Sequence, residues 1–384
     1  MKAIIIGAGM GGMSAAAALK QQGIECEIYE AVKEIRPVGA AISVWSNGVK
    51  CMRHLGMGHI MDELGGQMNS MAYRSGLNAE TLTEFSLLPL IDQVQERHYP
   101  VARADLQASM IDWWGRDLVQ FGKRVIDIEQ KAQSVEVTFD DGSSANGDFV
   151  IAADGTHSVV RPFVLGRQVE RRYAGYVNWN GLVELDEKIA PKEQWTTYVA
   201  EGKRVSLMPV ANNRFYFFFD VPLPKGLPQD RSTLKKDLNE YFADWCQPVK
   251  HLIDALDAET TNRVEIHDIE PFDTLVKGRV ALLGDAGHST TPDIGQGGCA
   301  AMEDAVALGQ AFADNDSIEA ALQSYQAARV ERVKDLVLKA RKRSQVTHGQ
   351  PMEDTLSWYQ ELAQESGENI IAGLKSTIVS GPLG

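Results

Sequence analysis

The first thirty residues alternate between apolar and mixed segments in the order strand, glycine turn, helix, strand. Residues 3–6 form an apolar run typical of a buried parallel strand, and residues 14–22 are rich in alanine and favour a helix. Residues 25–29 return to a strand pattern. This order predicts a βαβ unit. The same α/β pattern continues as an amphipathic helix and then strands, over residues 103–114, 125–128, 135–139 and 149–153.

The middle of the chain is β-rich. Short alternating runs separated by Gly, Asn or Pro predict an antiparallel sheet, with strands at residues 173–184, 196–200, 204–210 and 215–221. A helical stretch over residues 232–256, broken at Pro248, follows it. Residues 280–283 restore the buried strand pattern, so the β-rich segment is predicted to be an insertion. Residues 318–347 contain neither Gly nor Pro and predict a long helix.

These elements predict an α/β fold: a Rossmann-type domain, an inserted antiparallel β-sheet domain that binds substrate, and a long C-terminal helix. The Rossmann-type domain is predicted to be discontinuous. We expect it to comprise residues 1–72, 100–170 and 266–345, with residues 73–99 and 171–265 as the substrate domain and residues 346–384 as a C-terminal segment.

Composition narrows the class of protein. The 384 residues are 44% hydrophobic and 23% charged, as in an ordinary globular protein, and no apolar run reaches the roughly 18 residues that span a bilayer. The net charge of -14 disfavours nucleic-acid binding. The four cysteines are too scattered for a disulfide scaffold or a zinc site. We therefore expect a cytoplasmic protein with no nucleic-acid or membrane partner, no metal and an undetermined oligomeric state.

A glycine motif lies between the first predicted strand and the first helix. The sequence G-A-G-M-G-G at residues 7–12 satisfies G-x-G-x-x-G, and Glu30 follows Gly12 by 18 residues at the end of the second strand. Glycines at these positions allow a tight turn and a close approach of the backbone to a pyrophosphate, while Glu30 can bind ribose hydroxyls. This motif predicts a dinucleotide site but does not distinguish FAD from NAD.

Two further motifs follow buried strands. D-G occurs at residues 154–155 after strand 149–153, and G-D occurs at residues 284–285 after strand 280–283, with Pro292 and the glycine-rich residues 295–298 downstream. In this order the three motifs resemble the single-component flavoprotein aromatic hydroxylases. The resemblance extends over nearly the whole chain, including residues 39–43 and 103–106, and it favours FAD.

The resemblance implies roles for individual residues. Asp285 would hold the ribityl chain, residues 295–299 would lie beside the isoalloxazine, and Asp154 would serve FAD and the incoming nicotinamide. The candidate FAD contacts are Gly7, Gly9, Gly11, Gly12, Glu30, Ala31, Ser43, Arg103, Val125, Asp154, Asp285, Gly295, Gln296, Gly297, Gly298 and Cys299. The chain departs from the family pattern at Ser46, Gly287 and Cys299, where Pro, Ala and Asn are usual.

Each signal also has a purely structural interpretation. Asp154 and Asp285 are residues of the type that caps helices after a strand. His288 is interpreted as a structural hydrogen-bonding residue rather than a general base. Cys299 is interpreted as a small buried residue rather than a reactive thiol.

The resemblance also implies a reaction. Members of this family use NADH or NADPH to reduce FAD, which takes up dioxygen as a C4a-hydroperoxide and transfers one oxygen atom to an aromatic substrate. Residues 173–182, 204–209 and 215–220 are similar to members that act on urate, so we expect hydroxylation of urate at C5 to 5-hydroxyisourate, with NADH preferred. The candidate substrate residues are Asn178, Arg204, Tyr216 and Phe218, with Arg204 and Tyr216 as the catalytic pair and Tyr216 orienting Arg204.

Three alternatives stay open at this stage. An aryl acid such as salicylate would use an arginine for its carboxylate. An NAD-dependent dehydrogenase would share the first glycine motif but would leave the D-G and G-D motifs unexplained. A flavin-binding sensor would have the same motifs without turnover.

Overall fold

A computed structural model describes residues 1–35 and 41–384. Its strands are β1 (Lys2–Ile6), β2 (Glu25–Glu30), β3 (Ala41–Val44), β4 (Ser70–Ser75), β5 (Thr81–Ser86), β6 (Tyr99–Ala102), β7 (Val119–Phe121), β8 (Val125–Gln130), β9 (Val135–Phe139), β10 (Ser144–Gly147), β11 (Phe149–Ala152), β12 (Arg171–Glu184), β13 (Gln194–Ala200), β14 (Lys203–Val210), β15 (Arg214–Pro222), β16 (Asn262–Ile269), β17 (Val276–Lys277) and β18 (Val280–Leu282).

The α-helices are α1 (Met10–Gln21), α2 (Ser46–His54), α3 (Gly58–Leu64), α4 (Leu88–Val94), α5 (Arg103–Trp114), α6 (Arg161–Leu165), α7 (Leu234–Tyr241), α8 (Gln247–Ala255), α9 (Asp285–His288), α10 (Gly297–Asp314), α11 (Ile318–Thr347), α12 (Met352–Leu362) and α13 (Glu368–Val379). Short 3-10 helices cover Arg116–Leu118, Arg231–Thr233 and Pro292–Ile294. No helix within the described ranges is long and apolar enough to cross a membrane.

A six-stranded sheet, in the order β17-β18-β11-β1-β2-β7, forms the first layer of the fold. Its pairs are parallel except for β17 and β18 at one edge. Residues 3–6 of β1 are buried because the strand lies inside the sheet, and α1 packs against α10 beside it. The carboxyl ends of β1, β11 and β18 carry the three motifs that the sequence singled out, so these motifs meet at one edge of the sheet.

A seven-stranded sheet, in the order β16-β12-β15-β14-β13-β4-β5, contains the β-rich insertion. Side chains alternate across β15. Phe215, Phe217 and Phe219 pack into the core formed with α7 and α8, whereas Tyr216 and Phe218 belong to the core on the side of the six-stranded sheet. The face of this sheet that carries Tyr216 and Phe218 is therefore turned toward the Rossmann-type layer.

The predicted fold class is confirmed, with a parallel sheet, an inserted β-rich sheet and the long helix α11 over the predicted residues. Two details differ. The insertion is not wholly antiparallel, because β4, which comes from an earlier part of the chain, pairs with β13 in parallel. Pro248 does not break a helix. It lies in the first turn of α8, a position that needs no backbone donor, and the break comes earlier, after Tyr241.

A buried ion cluster joins α10 to α11. Arg329 donates from Nε to Oδ1 of Asp304 at 2.7 Å and from Nη2 to Oε2 of Glu303 at 3.0 Å. Both carboxylate side chains are fully buried. Burial opposes ionisation, but the neighbouring His288 and Arg329 hold the pKa of Asp304 well below its usual range. The cluster fixes α10, which begins within the glycine-rich segment, against the long helix.

Candidate active site

The glycine turn between β1 and α1 has one open backbone edge. Gly7 has a φ of +100°, and a Cβ there would lie 2.3 Å from the carbonyl oxygen of Ala153. A Cβ on Gly12 would lie 1.9 Å from the carbonyl oxygen of Gly7. Apart from its chain neighbours, no described atom lies within 4 Å of the position that a Cβ on Gly9 would take. The backbone at Gly9 is therefore accessible to a pyrophosphate.

Glu30 ends β2 beside this turn. Its Oε2 accepts a hydrogen bond from the backbone N–H of Ala8 at 2.8 Å, and its Oε1 accepts one from that of Val32 at 3.0 Å. A carboxylate oxygen accepts more than one hydrogen bond, so both oxygens retain capacity for ribose hydroxyls. Ala31 lies directly after Glu30 in the bend that follows the strand.

Two of the predicted FAD contacts, Gly11 and Val125, lie in close packing. A Cβ on Gly11 would come within 2.8 Å of Cδ2 of Leu283, so this glycine allows α1 to approach the residue after β18. Val125 begins β8, is buried, and pairs with Phe139. The structure thus places Gly11 in the packing around the turn, whereas Val125 belongs to the separate three-stranded sheet β10-β9-β8.

Asp154 follows β11, and its carboxylate fits both a structural role at the turn and a role in ligand binding. Its Oδ2 accepts from the backbone N–H of Val159 at 2.8 Å and of Val160 at 3.4 Å, which fixes the turn that leads into α6. Its Oδ1 is buried without a hydrogen-bond partner among the described residues. Burial raises the pKa of Asp154 above its usual value. One oxygen therefore fixes the turn, and the other is available to a ligand.

Asp285 begins α9 after Gly284, and its side chain is exposed at the carboxyl edge of the six-stranded sheet. Arg161, to which the sequence analysis gave no role, joins this motif to the D-G motif. Its Nη2 donates to the carbonyl oxygens of Asp285 at 2.9 Å and Thr156 at 3.2 Å. His288 bonds Asp304 at 2.6 Å, in keeping with a structural role. The D-G and G-D motifs therefore form one rigid edge.

The glycine-rich residues 295–298 lie against β3. Gly295 has a φ of +64°, and a Cβ there would lie 2.6 Å from Oγ of Ser43. The amide of Asn47 donates to Oε1 of Gln296 at 2.9 Å, and both side chains are buried. Gly297 and Gly298 are the first residues of α10. Of the predicted segment 39–43, residues 39 and 40 lie outside the described part of the chain.

Cys299 lies inside α10, and its Sγ accepts a hydrogen bond from the backbone N–H of Trp45 at 3.3 Å. Burial raises the pKa of the Cys299 thiol to about 12. The thiolate is therefore scarce at neutral pH, which agrees with a packed residue rather than a reactive thiol.

Arg103 begins α5 and is exposed. Tyr216 is buried on β15, and burial raises its pKa well above the usual value, while the positive charges of Arg204 and Arg103 oppose that shift. Arg103 therefore lies within electrostatic range of Tyr216 on the predicted substrate face.

Arg204 is the central cation of the inserted sheet. Only 8% of its surface is exposed, and its strand β14 lies between β15 and β13 inside the sheet. Its Nε donates to Oδ2 of Asp220 at 2.8 Å, and its Nη2 donates to Oδ1 of Asp293 at 3.0 Å. Burial opposes the charge, but the two carboxylates raise the pKa of Arg204 above its usual value. The guanidinium is therefore a fixed, permanent cation.

Tyr216 does not orient Arg204, contrary to the sequence-based expectation. Strand register places Asp220 opposite Arg204 and Met208 opposite Tyr216, with Phe218 between the two on the same face. The guanidinium carbon of Arg204 lies 5.1 Å from the centre of the Phe218 ring, and the rings of Phe218 and Tyr216 are 5.7 Å apart. The three side chains form a row, in which carboxylates rather than the phenol hold the arginine.

Two asparagines on β12 extend this network. Asn178 donates from Nδ2 to Oδ1 of Asp220 at 2.6 Å, and Asn180 donates from Nδ2 to Oδ1 of Asn178 at the same distance. Oδ1 of Asn180 is buried and has no hydrogen-bond partner among the described residues. The chain of amides therefore ends in a free acceptor.

Sequence reasoning missed four residues of this network: Asp220, described above, and Asp293, Tyr176 and His348. Asp293 lies in the 3-10 helix before Gly295, and its Oδ2 accepts from the hydroxyl of Tyr176 at 2.8 Å. His348 follows α11, and its ring stacks on that of Tyr176 with centres 3.9 Å apart. Asp293 was detectable as an acidic residue beside a glycine-rich segment, whereas nothing in the sequence around His348 indicates that it reaches this site. No group of three or more metal-ligating side chains occurs in the described ranges.

A family model described as an FAD binding domain matches residues 1–340. This match includes all three motifs and the residues around Arg204. The chain belongs to this FAD-binding family. The sequence motifs that favoured FAD over NAD are thereby confirmed, and FAD is the cofactor.

Named relatives and solved structures are similar to the chain over its full length. The FAD-dependent urate hydroxylase of Klebsiella pneumoniae is 67% identical over 384 residues, which is 100% of both chains. The crystal structure of HpxO from that organism with FAD and uric acid has a TM-score of 0.98 at 66% identity and covers 100% of this chain and 98% of the other. The R204Q variant of HpxO with FAD gives the same score and identity over 100% of each chain. The predicted resemblance to flavoprotein hydroxylases is confirmed.

Proposed function

We propose that this protein hydroxylates urate at C5 to give 5-hydroxyisourate, using FAD, NADH and dioxygen. The observation that supports it best is the position of Arg204. This buried cation is bound to Asp293, two residues before the glycine-rich loop of an FAD-binding fold. The name and the uric-acid complex of relatives with 66–67% identity support the same reaction.

The edge of the six-stranded sheet fits FAD. The open backbone at Gly9 and the carboxylate of Glu30 suit the pyrophosphate and the adenosine ribose. The exposed carboxylate of Asp285 suits the ribityl hydroxyls, and the loop at residues 295–299 suits the ring system. When bound and reduced, FAD supplies the reaction of dioxygen that yields the transferred oxygen atom.

The row of side chains on the inserted sheet suits an aromatic anion. Nε and Nη2 of Arg204 are held by carboxylates, and within residues 1–35 and 41–384 no group bonds Nη1, which leaves this donor for a urate oxygen. The free Oδ1 of Asn180 can accept from a urate N–H. Phe218 and Tyr216 supply aromatic surface beside them. Because a guanidinium cannot act as a base, Arg204 binds the anion and stabilises its charge during oxygen transfer.

We also propose the domain assignment that the sequence indicated. Residues 1–72, 100–170 and 266–345 form the FAD-binding domain, residues 73–99 and 171–265 form the substrate domain, and residues 346–384 form a C-terminal segment. The two sheets support this division, because β4, β5 and β12–β16 join one sheet and the glycine and aspartate motifs end strands of the other.

Purified protein provides the test. Urate should accelerate NADH oxidation, and 5-hydroxyisourate should carry one oxygen atom from isotopically labelled dioxygen. The same assay with salicylate tests the alternative substrate. If salicylate is hydroxylated and urate has no effect, the protein is an aryl-acid hydroxylase and the proposal is wrong. If flavin is bound but neither compound is turned over, a flavin-binding sensor is favoured.

A further inference from the structure

His348 lies where the C-terminal part of the chain meets the substrate face. It follows the last residue of α11 and is 2% exposed. Its Nδ1 lies 3.1 Å from the carbonyl oxygen of Gly202, in the turn just before β14. Its Nε2 lies 3.6 Å from Oδ1 of Asp293 and 4.0 Å from Oδ2 of Asp220. One ring nitrogen therefore faces a carbonyl and the other faces two carboxylates.

These neighbours determine where the ring carries protons. A carbonyl oxygen only accepts hydrogen bonds, so Nδ1 must carry a proton to bond Gly202. A neutral ring would then present the lone pair of Nε2 to the two carboxylates, which repel it. A second proton on Nε2 changes that repulsion into attraction. The position of Nε2 between two carboxylates therefore favours a positive charge on this ring.

Other groups around the ring favour the same charge. The Tyr176 ring stacks on the imidazole with centres 3.9 Å apart and an angle of 27° between the planes. An aromatic face stabilises a cation. His348 also follows the C-terminus of a 30-residue helix, where the backbone dipole favours positive charge. Among residues 1–35 and 41–384, Arg204 is the like charge bound to the same carboxylates.

The charge count explains what this imidazolium does. Arg204 carries one positive charge and contacts two carboxylates, Asp220 and Asp293. Those three groups alone sum to a net charge of about -1, which would repel a urate anion. A charged His348 brings the buried cluster to neutrality. The free Nη1 of Arg204 can then attract an anion without an excess of negative charge behind it.

We propose that His348 is a positioning residue that acts through charge: it balances one of the two carboxylates bound to Arg204 and so leaves the guanidinium for the substrate anion. The inference deepens the proposed function and rests on it. It assigns a role in the substrate site to the residue that directly follows the long helix α11.

Replacement of His348 with glutamine tests the charge separately from hydrogen bonding, because the amide can still donate to the carbonyl oxygen of Gly202. In the FAD-loaded enzyme, His348→Gln should raise the KM for urate on the order of tenfold. A unit charge about 10 Å away has that effect at an effective dielectric constant of about 20. FAD content, read from the flavin absorbance, should not change.

The matched control is His267→Gln. His267 also places Nδ1 on a backbone carbonyl, that of Glu265 at 2.8 Å, and its ring lies 5.3 Å from that of Tyr173, but it is only half-buried and lies on the edge strand β16. This variant should keep the KM of the parent enzyme. Loss of urate binding in both variants would mean that any histidine replacement damages the fold, and would overturn the assignment.

A second variant restores the charge balance of the buried cluster. Asp293→Asn added to His348→Gln removes one negative charge for the lost positive one, so the KM for urate should return toward that of the parent. An unchanged KM in His348→Gln, or a double variant no better than the single one, would overturn the inference. If the single variant fails to fold, the balanced double variant must still fold and bind FAD, and its failure would have the same meaning. A parent enzyme whose NADH oxidation ignores urate would instead overturn the proposed function, and this inference with it.

Discussion

Replacing Arg204 with glutamine removes a buried cation of the substrate face that has a free donor. Glutamine is shorter and neutral, so the charge-assisted bond to the urate anion is lost. Hydrogen bonds to charged groups contribute about 1.5–3 kcal/mol, which corresponds to a roughly ten- to a hundredfold loss of urate affinity. The loss also leaves Asp220 and Asp293, both with fully buried side chains, without their guanidinium partner.

The effect should appear as uncoupling rather than loss of cofactor. Arg204 lies on the inserted sheet, away from the glycine turn, and the R204Q variant of HpxO holds FAD in its crystal structure. We therefore expect Arg204→Gln to bind FAD, oxidise NADH and release more hydrogen peroxide for each NADH consumed. Hydroxylation should fall in the same proportion, and both products can be quantified in one reaction.

Lys203→Gln is the matched control. Lys203 is adjacent in sequence but points to the opposite face of β14, where its Nζ donates to the carbonyl oxygen of Tyr241 at 2.8 Å. Removal of this charge should leave the ratio of peroxide to NADH unchanged. If Arg204→Gln also shows the parent ratio with normal hydroxylation, the cation that serves the substrate lies elsewhere and the reasoning from the carboxylate pair is refuted.

Three further outcomes are expected. Asp285→Ala should weaken FAD binding about ten- to a hundredfold, as expected for loss of a charge-assisted bond to a ribityl hydroxyl; equal FAD affinity in a titration of the apoprotein would contradict that assignment. Gly12→Ala should prevent FAD loading, because its Cβ would lie 1.9 Å from the carbonyl oxygen of Gly7. Gly9→Ala should fold normally and lose only FAD affinity, because the described residues leave the space beside Gly9 open. Circular dichroism and flavin absorbance compare the two variants. Arg329→Met should destabilise the protein by about 3 kcal/mol, because the buried Asp304 and Glu303 each lose one charged partner while His288 and Arg332 still bond them. A change below about 1 kcal/mol in urea unfolding would argue against a buried ion cluster.

Local signals allowed most of the fold to be predicted from sequence. Alternation and turn residues located β12–β15 to within two residues, and the absence of Gly and Pro located α11 at its observed bounds. The parallel pairing of β4 with β13 was not predictable in this way. It joins segments more than a hundred residues apart, and neither strand carries a local mark of its partner's direction.

In the candidate site, too, local signals were predictable from the sequence and long-range contacts were not. Arg204 was identified because its strand alternates and because the chain resembles a known family. Its partners were not, since Asp220 is one strand away and Asp293 belongs to the loop of the other layer. Register predicts which residues share a face, but it does not predict which of them are close enough to bond. Tyr216 was chosen as the partner on face alone, and the structure gives that role to the two carboxylates.

The interleaving of the two sheets along the chain has a consequence for biosynthesis. The six-stranded sheet uses strands from β1 at residue 2 to β18 at residue 282, and β18 pairs with β11 across more than a hundred intervening residues. The ribosome must therefore release about three quarters of the polypeptide before this layer can close. Until then the edge of β11 that β18 later covers is unpaired and apolar, a state that invites aggregation. Such long-range pairing also slows folding. Expression at reduced temperature or with added chaperone should therefore raise the yield of flavin-loaded protein.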